Sequence, residues 1–163
     1  MHPKESQLGS KLIWLGPRVF VEADDAACFV EGDCVTFINW GNLLITKIFR
    51  ASDSGAVISV EAQLKLEDTD FKKTQKVTWL ADSSNVPDGA GLFCPVACIV
   101  YGNLITNALI GKDEDFKKFV NYNSKEETCL LAEPCLRSLK KGDIIQFQRR
   151  GFYICDEPYQ ASQ

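Results

Sequence analysis

The stretch that decides the fold reads Ile58-Ser59-Val60-Glu61-Ala62-Gln63-Leu64-Lys65-Leu66. Apolar and polar residues alternate here without interruption, so that every second side chain is apolar. Successive side chains of a β-strand point to opposite faces of the sheet, whereas an α-helix would need a period near 3.6 residues. The alternation therefore predicts a strand with one apolar face turned to a core and one polar face turned to water.

Strand-like segments continue on both sides of this stretch. They are rich in β-branched and aromatic residues, are separated by turns of Gly, Asn and Asp, and lie at 12–15, 18–22, 34–38, 43–50 and 75–80. The four residues Asn39-Trp40-Gly41-Asn42 have the composition of a hairpin turn. Such a meander of short strands predicts a small β-barrel or sandwich over residues 12–80. Residues 1–11 are polar and are predicted to form a flexible N-terminal segment.

The second half of the chain is predicted to form another β region. Residues 81–91 are rich in Gly, Pro, Asn and Asp, which favours a linker, and the second region follows at 92–163. It opens with an apolar strand at 96–100. No internal repeat is evident by inspection.

Two short helices are predicted within this second region. Acidic residues precede lysines between 112 and 118, and Phe116, Phe119 and Val120 follow helical spacing, which predicts an amphipathic helix over 113–121. A further helical turn is predicted at 133–139, with Pro134 at its first helical position. In the first region, residues 23–27 are either a loop or a single helical turn. The acidic groups at 24–25 and 113–115 are interpreted as caps of helices or turns.

Composition excludes several classes of function. The 163 residues suffice for one domain or two small barrels, and a hydrophobic content of 45% is typical of globular proteins. A net charge of −4 argues against binding to duplex DNA through a general basic face. No apolar run approaches the roughly 20 residues that span a bilayer, so no membrane partner is predicted. The N-terminus has no signal-peptide pattern, which favours the cytoplasm.

The reactive residues do not form a recognisable site. The chain has seven cysteines at irregular spacing and one histidine, His2. Neither Cys94 and Cys98 nor Cys129 and Cys135 have the spacing of a zinc ribbon, so we expect buried free thiols in a reducing compartment. No nucleophile motif and no Gly-rich phosphate loop is present. The sequence therefore predicts no catalytic site, no metal and no cofactor within this chain.

The best candidate for binding is the segment at 144–154, which reads IIQFQRRGFYI. Gln146 and Gln148 alternate with apolar residues, so both amides are expected on one face of a strand. Arg149 and Arg150 would then point to opposite faces. Amides and a guanidinium on one rigid strand suit the reading of base edges, while the alternative is a solvated edge strand with a glycine bulge.

Six segments taken in order resemble one known family. They lie at 39–42, 76–80, 101–104, 113–116, 132–136 and 146–153. Their order resembles the C-terminal anticodon-binding region of class I glutamyl- and glutaminyl-tRNA synthetases, from about Pro3 to Tyr159. Within that family the chain is most similar to the eukaryotic glutamyl enzymes, particularly to the glutamyl half of the bifunctional glutamyl-prolyl enzymes.

The resemblance implies a mainly β fold of two small barrels, related to a ribosomal protein fold, with one or two short helices. It also implies a cytoplasmic fragment of a glutamate–tRNA ligase, inactive alone, whose missing catalytic domain would bind ATP and Mg²⁺. Whether that parent is fused to a prolyl enzyme is open. The implied partner is the anticodon of tRNA-Glu. The alternative is a module that docks the enzyme to other synthetases in a multi-synthetase complex.

The resemblance also implies specific site residues. In glutaminyl-type relatives a Gln and an Arg three positions apart read anticodon bases, and these fall on Gln146 and Arg149. Arg150 is expected to meet phosphate or water. A basic loop of the family corresponds here to 26–31, which carries no Lys or Arg. Trp40 is a candidate stacking platform for a base, and the alternative is a Trp packed into the fold.

Overall fold

The computed structural model describes residues 7, 9–82 and 93–160. These residues are mainly β, as predicted, and they form ten strands with one short α-helix and short 3₁₀ turns. The strands make four separate sheets. Within the described residues none of these sheets closes into a barrel, so the two-barrel architecture stays a prediction.

Two sheets are built from the first half of the chain. The bounds of its strands are β1 Val19–Val21, β2 Cys34–Phe37, β3 Gly41–Arg50, β4 Val57–Leu64, β5 Gln75–Val77 and β6 Trp79–Ala81, and helix α1 spans Ala23–Ala27. A four-stranded sheet has the order β4-β3-β2-β5, in which β5 runs parallel to β2 and the other pairs are antiparallel. The strands β1 and β6 form a separate antiparallel pair.

The predicted strand at 75–80 is divided in two. Val77 is the last residue of β5 and is fully buried, and Trp79 begins β6 in the neighbouring sheet. The indole Nε1 of Trp79 donates a hydrogen bond to the carbonyl of Ile38 at 2.9 Å, which ties the two sheets together. This corner lies beside the main core, whose buried members are Phe29, Val35, Phe37, Leu43, Ile45 and Val77.

The alternating stretch does form a strand, but only part of its apolar face is covered. Val60 packs against the main core, whereas Ile58 and Leu64 are exposed. The reason is position, because β4 is the outer strand of its sheet and has β3 as its only neighbour there. The predicted strand at 12–15 is wrong. Residues 12–15 have no regular structure, and their large apolar side chains are exposed.

The second half contributes two antiparallel pairs. Their strands are β7 Cys94–Tyr101 with β8 Lys125–Ala132, and β9 Ile144–Phe147 with β10 Gly151–Ile154. The sequence did not predict β8, because its first half is charged and polar. The linker predicted at 81–91 lies outside the described residues except for 81 and 82, and Ala81 is the last residue of β6. The boundaries of the two predicted regions therefore stay predictions.

The helix predicted over 113–121 is wrong in length and type. Only a 3₁₀ turn, Phe116–Phe119, forms there. Asp115 caps it by accepting a hydrogen bond from the backbone N–H of Lys117 at 3.1 Å. Phe116 is exposed, so no buried apolar face supports a longer helix. The helical turn predicted at 133–139 is confirmed as the 3₁₀ turn Pro134–Ser138, which has proline at its start.

One hairpin occurs twice, so the expectation of no internal repeat is wrong. Phe37 pairs with Gly41 in β2–β3, and Phe147 pairs with Gly151 in β9–β10, each across a three-residue turn. At the base of each hairpin a glycine N–H donates to a carbonyl across the strands at 2.8 Å. The shared pattern, G-D-x-x-x-F-x-x-x-G, occupies 32–41 and 142–151. It was missed because only four of its ten positions are identical.

Candidate nucleic-acid interface

The β9–β10 hairpin brings together four of the five predicted site residues. Gln146 lies on β9, and Gln148, Arg149 and Arg150 form the turn. All four are exposed as whole residues. The prediction that the two arginines point to opposite faces of a sheet is wrong, because they lie in a turn. Both guanidinium groups reach the same neighbouring segment at the start of α1.

Arg149 makes a two-pronged ion pair with Asp25. Its Nη1 and Nη2 donate to the two carboxylate oxygens at 2.5 and 2.7 Å. The Asp25 side chain is 10% exposed and that of Arg149 is 40% exposed. The hydrogen bond to Asp25 raises the pKa of Arg149, so the guanidinium stays charged. A guanidinium has five N–H donors and this pair uses two, so three remain for another ligand.

The backbone of Arg149 is in a conformation that its residue type disfavours. Its φ is +67°, at the third position of a four-residue turn closed by the Arg150 N–H and the Phe147 carbonyl at 3.0 Å. Positive φ at this position suits Gly or Asn. The equivalent residue of the first hairpin is Asn39, with φ +66°. A non-Gly residue held in a sparsely populated conformation is a pointer to function, and here the ion pair with Asp25 helps to hold it.

Arg150 makes a weaker ion pair with Glu22. Its Nη2 lies 2.8 Å from the Glu22 carboxylate, and the two side chains are 39% and 44% exposed. Exposed pairs of this kind contribute about 0–1 kcal/mol. A phosphate oxygen can therefore compete with Glu22 for this guanidinium at little cost in stability.

Trp40 lies elsewhere in the fold. Its ring packs at 4.8 Å from the ring of Trp79 and edge-on to Phe37 at 6.1 Å, against the main core. The structure therefore favours the alternative of a packed Trp over a stacking platform, and a role for Trp40 in RNA binding stays a prediction.

The sequence did not predict the partners of the arginines. Asp25 was interpreted as part of a helix cap, but its carboxylate binds Arg149, and no side-chain hydrogen bond caps α1. Nothing in the local sequence joins residues so far apart in the chain. One feature of the sequence suggests that the acidic residues of α1 have a distant partner. Residues 26–31 contain no Lys or Arg, so no basic side chain is available in the loop next to them.

The inner face of the hairpin is occupied by packing. The rings of Phe147 and Tyr153 meet edge to face at 5.3 Å. A hydrogen bond with Cys98 of β7, followed by burial, raises the pKa of the Tyr153 hydroxyl. Beside this contact an open groove of about 410 Å³ separates β7 from β10, and Tyr101, Arg150 and Phe152 are among its lining residues.

The described residues show no metal-binding cluster of three or more His, Cys, Asp or Glu side chains. All seven cysteines are free thiols. Cys94 and Cys98 are buried, but Cys28 and Cys129 are exposed, so the expectation of buried thiols is wrong for these two. Among the helices of the described chain, none is long and apolar enough to span a bilayer.

Comparisons with known proteins place the chain in a family. Residues 1–65 and 76–156 match two family models, both described as "tRNA synthetases class I (E and Q), anti-codon binding domain". The bifunctional glutamate/proline–tRNA ligase of Mus musculus is 53% identical over 98% of the chain and 10% of its own length. That of Drosophila melanogaster is 47% identical over 98% of the chain and 9% of its own length.

A monofunctional enzyme is also similar. The cytoplasmic glutamate–tRNA ligase of Saccharomyces cerevisiae is 36% identical over 95% of the chain and 20% of its own length. The chain thus spans about a tenth to a fifth of the curated relatives that it matches. Because two models of one description match almost end to end, the chain belongs to the family of anticodon-binding domains of the class I (E and Q) tRNA synthetases.

Proposed function

We propose that this chain is the part of a cytoplasmic glutamyl-tRNA synthetase that recognises the anticodon of tRNA-Glu. The observation that carries the proposal is the match of both anticodon-binding family models, at 1–65 and 76–156. Relatives named as glutamate–tRNA ligases support the choice of glutamate. Ligase activity, with ATP and Mg²⁺, would belong to the remaining parts of such a parent protein. No observation favours the alternative of a docking module for other synthetases.

The β9–β10 hairpin is the proposed contact with the anticodon. Anticodon bases are single-stranded, so their edges are open to hydrogen bonding. The Gln146 and Gln148 amides each offer donors and an acceptor. Arg149 adds a guanidinium whose position is held by Asp25, which reduces the entropy lost when it binds a base. Arg150 is proposed to meet phosphate, since its pair with Glu22 is exposed.

Fluorescence anisotropy with the anticodon stem-loop of tRNA-Glu tests this function. We expect binding that weakens with salt, with a log–log slope of about −0.7 for each phosphate neutralised. Stem-loops with a single anticodon base exchanged provide the specificity control. Arg149→Ala should remove about 1–3 kcal/mol of discrimination at one base position. If the wild type binds matched and exchanged stem-loops equally, the chain does not read the anticodon.

Aminoacylation by a full-length parent gives an independent test. Gln146→Ala should raise KM for tRNA-Glu and leave KM for ATP unchanged, because the anticodon contact lies outside the catalytic domain. Glu126→Ala, a change at an exposed residue of β8, is the matched control. If Gln146→Ala and Glu126→Ala raise KM for tRNA-Glu equally, the effect is due to general destabilisation.

A further inference from the structure

The side of the β9–β10 hairpin that faces away from Tyr153 is exposed, with no described segment of the chain packed over it. We call it the outer face, and its members are Ile144, Gln146, Phe152 and Ile154. Gln146 is paired directly across the strands with Phe152, and Ile144 with Ile154. Phe152 is 75% exposed, Ile144 is 74% exposed and Ile154 is 58% exposed. Other large apolar residues of the chain are also exposed, but here three lie on one strand face around one amide, and a contiguous apolar patch of this kind is where proteins bind ligands.

The repeated hairpin shows what a covered version of this face looks like. In the first hairpin, Thr36 and Asn42 hold the positions of Gln146 and Phe152, and they are also cross-strand partners. Asn42 is fully buried, and its amide donates to the carbonyl of Asp68 at 3.0 Å in the loop that follows β4. The two hairpins therefore share a backbone pairing but differ in exposure. Thr36 and Asn42 form a buried polar pair in the first hairpin, whereas Gln146 and Phe152 form an exposed pair in the second.

We propose that the outer face is a base-stacking platform, on which Phe152 stacks an unpaired anticodon base while the Gln146 amide hydrogen-bonds to that base's edge. This inference rests on the proposed function and assigns a residue, Phe152, that the family resemblance did not indicate. Side chains directly opposite on one face of a sheet have Cβ atoms about 4.5–5.5 Å apart. A base lying on the Phe152 ring therefore has its edge within reach of the Gln146 amide.

The charges around the outer face favour RNA over an apolar peptide. Exposed Lys140 and Lys141 lie, together with Asp143, in the turn before β9 at one end of the face, and Arg150, which is paired with Glu22, lies in the turn at the other end. Arg150 and Phe152 also line the open groove beside β7. Asp156 is the acidic residue of that groove. An aromatic platform between basic groups is the arrangement by which proteins bind single-stranded nucleic acid.

The test uses the whole chain and four variants, Phe152→Ala, Phe152→Leu, Phe152→Tyr and Ile58→Ala. Phe152→Leu keeps an apolar side chain without the ring, Phe152→Tyr keeps the ring, and Ile58→Ala is a control at an exposed apolar residue of β4, outside the hairpin. Each variant is titrated with the tRNA-Glu stem-loop by anisotropy. Stem-loops carrying 2-aminopurine in place of each anticodon base in turn report stacking as fluorescence quenching.

We expect Phe152→Ala and Phe152→Leu to weaken binding by about 5- to 150-fold, the range that corresponds to one stacked base. Phe152→Tyr should bind within about twofold of the wild type, and Ile58→Ala should do the same. One 2-aminopurine position should be quenched by the wild type and by Phe152→Tyr but not by Phe152→Leu. Since Phe152 is exposed, the variants should keep the thermal stability of the wild type.

The possible failures are distinguishable. If the wild type does not bind the tRNA-Glu stem-loop, both the proposed function and the stacking platform are rejected. If the wild type binds tightly and the Phe152 variants bind equally well, only the platform is rejected. Binding by Phe152→Leu at wild-type strength also rejects it, because apolar contact would then suffice. A dimer in sedimentation that Phe152→Ala abolishes would assign the face to a second copy. If Phe152→Ala in a full-length parent lowers the thermal stability but leaves KM for tRNA-Glu unchanged, the outer face packs against another segment of that protein.

Discussion

Arg149 and Asp25 form an ion pair, but substitution of Arg149 should lower the free energy of unfolding more than substitution of Asp25 does. Arg149→Ala leaves a carboxylate in a position where its side chain is only 10% exposed. Breaking a fully buried pair costs about 3–5 kcal/mol, and because the Arg149 side chain is 40% exposed we expect a smaller loss, of about 2–3 kcal/mol. Asp25→Asn leaves a guanidinium that water can reach, so we expect a loss of about 1 kcal/mol.

Thermal unfolding measured by circular dichroism tests this asymmetry. A change of 1 kcal/mol shifts the Tm of a domain of this size by about 2–4 °C, so Arg149→Ala should lower Tm by about 4–12 °C and Asp25→Asn by about 2–4 °C. Arg150→Ala is the matched control, because its pair with Glu22 is exposed and should contribute about 0–1 kcal/mol. Asp25→Asn combined with Arg149→Ala should be less destabilising than the sum of the two single changes.

The backbone of Arg149 adds a second comparison to the same experiment. Glycine tolerates φ near +67° whereas alanine does not, so Arg149→Gly should be about 1 kcal/mol less destabilising than Arg149→Ala. The reasoning fails if Arg149→Ala and the control Arg150→Ala lower Tm equally, or if Asp25→Asn is the more damaging of the two single changes. Either result would mean that Asp25 is not a buried carboxylate that depends on Arg149.

Two further predictions concern single residues. Gly41 and Gly151 hold equivalent positions in the two hairpins, with φ of +148° and +140°. A Cβ added at Gly41 would lie 2.6 Å from the Leu66 side chain, whereas a Cβ added at Gly151 would lie 3.9 Å from the Tyr153 ring. Both alanine variants should be destabilised to a similar extent by backbone strain in urea unfolding, because the clash at Gly41 is with the end of the flexible, exposed Leu66 side chain, which can turn away. An extra loss of about 1–3 kcal/mol for Gly41→Ala would show that Leu66 is held in place. Burial, and to a smaller extent the charge of Glu133, raises the pKa of the Cys135 thiol. At pH 8 iodoacetamide should therefore modify Cys135 more slowly than the exposed Cys129, and mass spectrometry measures the two rates. Glu133→Gln should speed the reaction of Cys135, and an unchanged rate would contradict the influence of that charge.

The local sequence determined several of the strands and the family to which the chain belongs. The alternation at 58–66 predicted β4, and the segments at 34–38 and 43–50 predicted β2 and β3, because the period of side chains along a strand is a local property. Proline at 134 predicted a helical turn for the same reason. The order of six short segments sufficed to predict the family of anticodon-binding domains that both family models support.

Local patterns failed where distant parts of the chain decide the outcome. The apolar segment at 12–15 resembles a strand but has no strand partner in the part of the chain that the structure describes. By contrast, β8 resembles a polar loop but pairs with β7 along its full length. A strand needs hydrogen-bonding partners, which composition does not reveal. The helix predicted at 113–121 shortened to one turn because Phe116 found no apolar surface to pack against.

The candidate site shows the same division between sequence and tertiary structure. Sequence alone placed Gln146 and Arg149 in one segment, but only the fold joins Arg149 to Asp25 across 124 positions of the chain. Sequence also contained both copies of the hairpin, yet only the fold shows that Asn42 is buried under a loop while its equivalent, Phe152, is open to solvent. Burial depends on what the rest of the chain places over a face, and that is a property of the tertiary structure rather than of any local pattern.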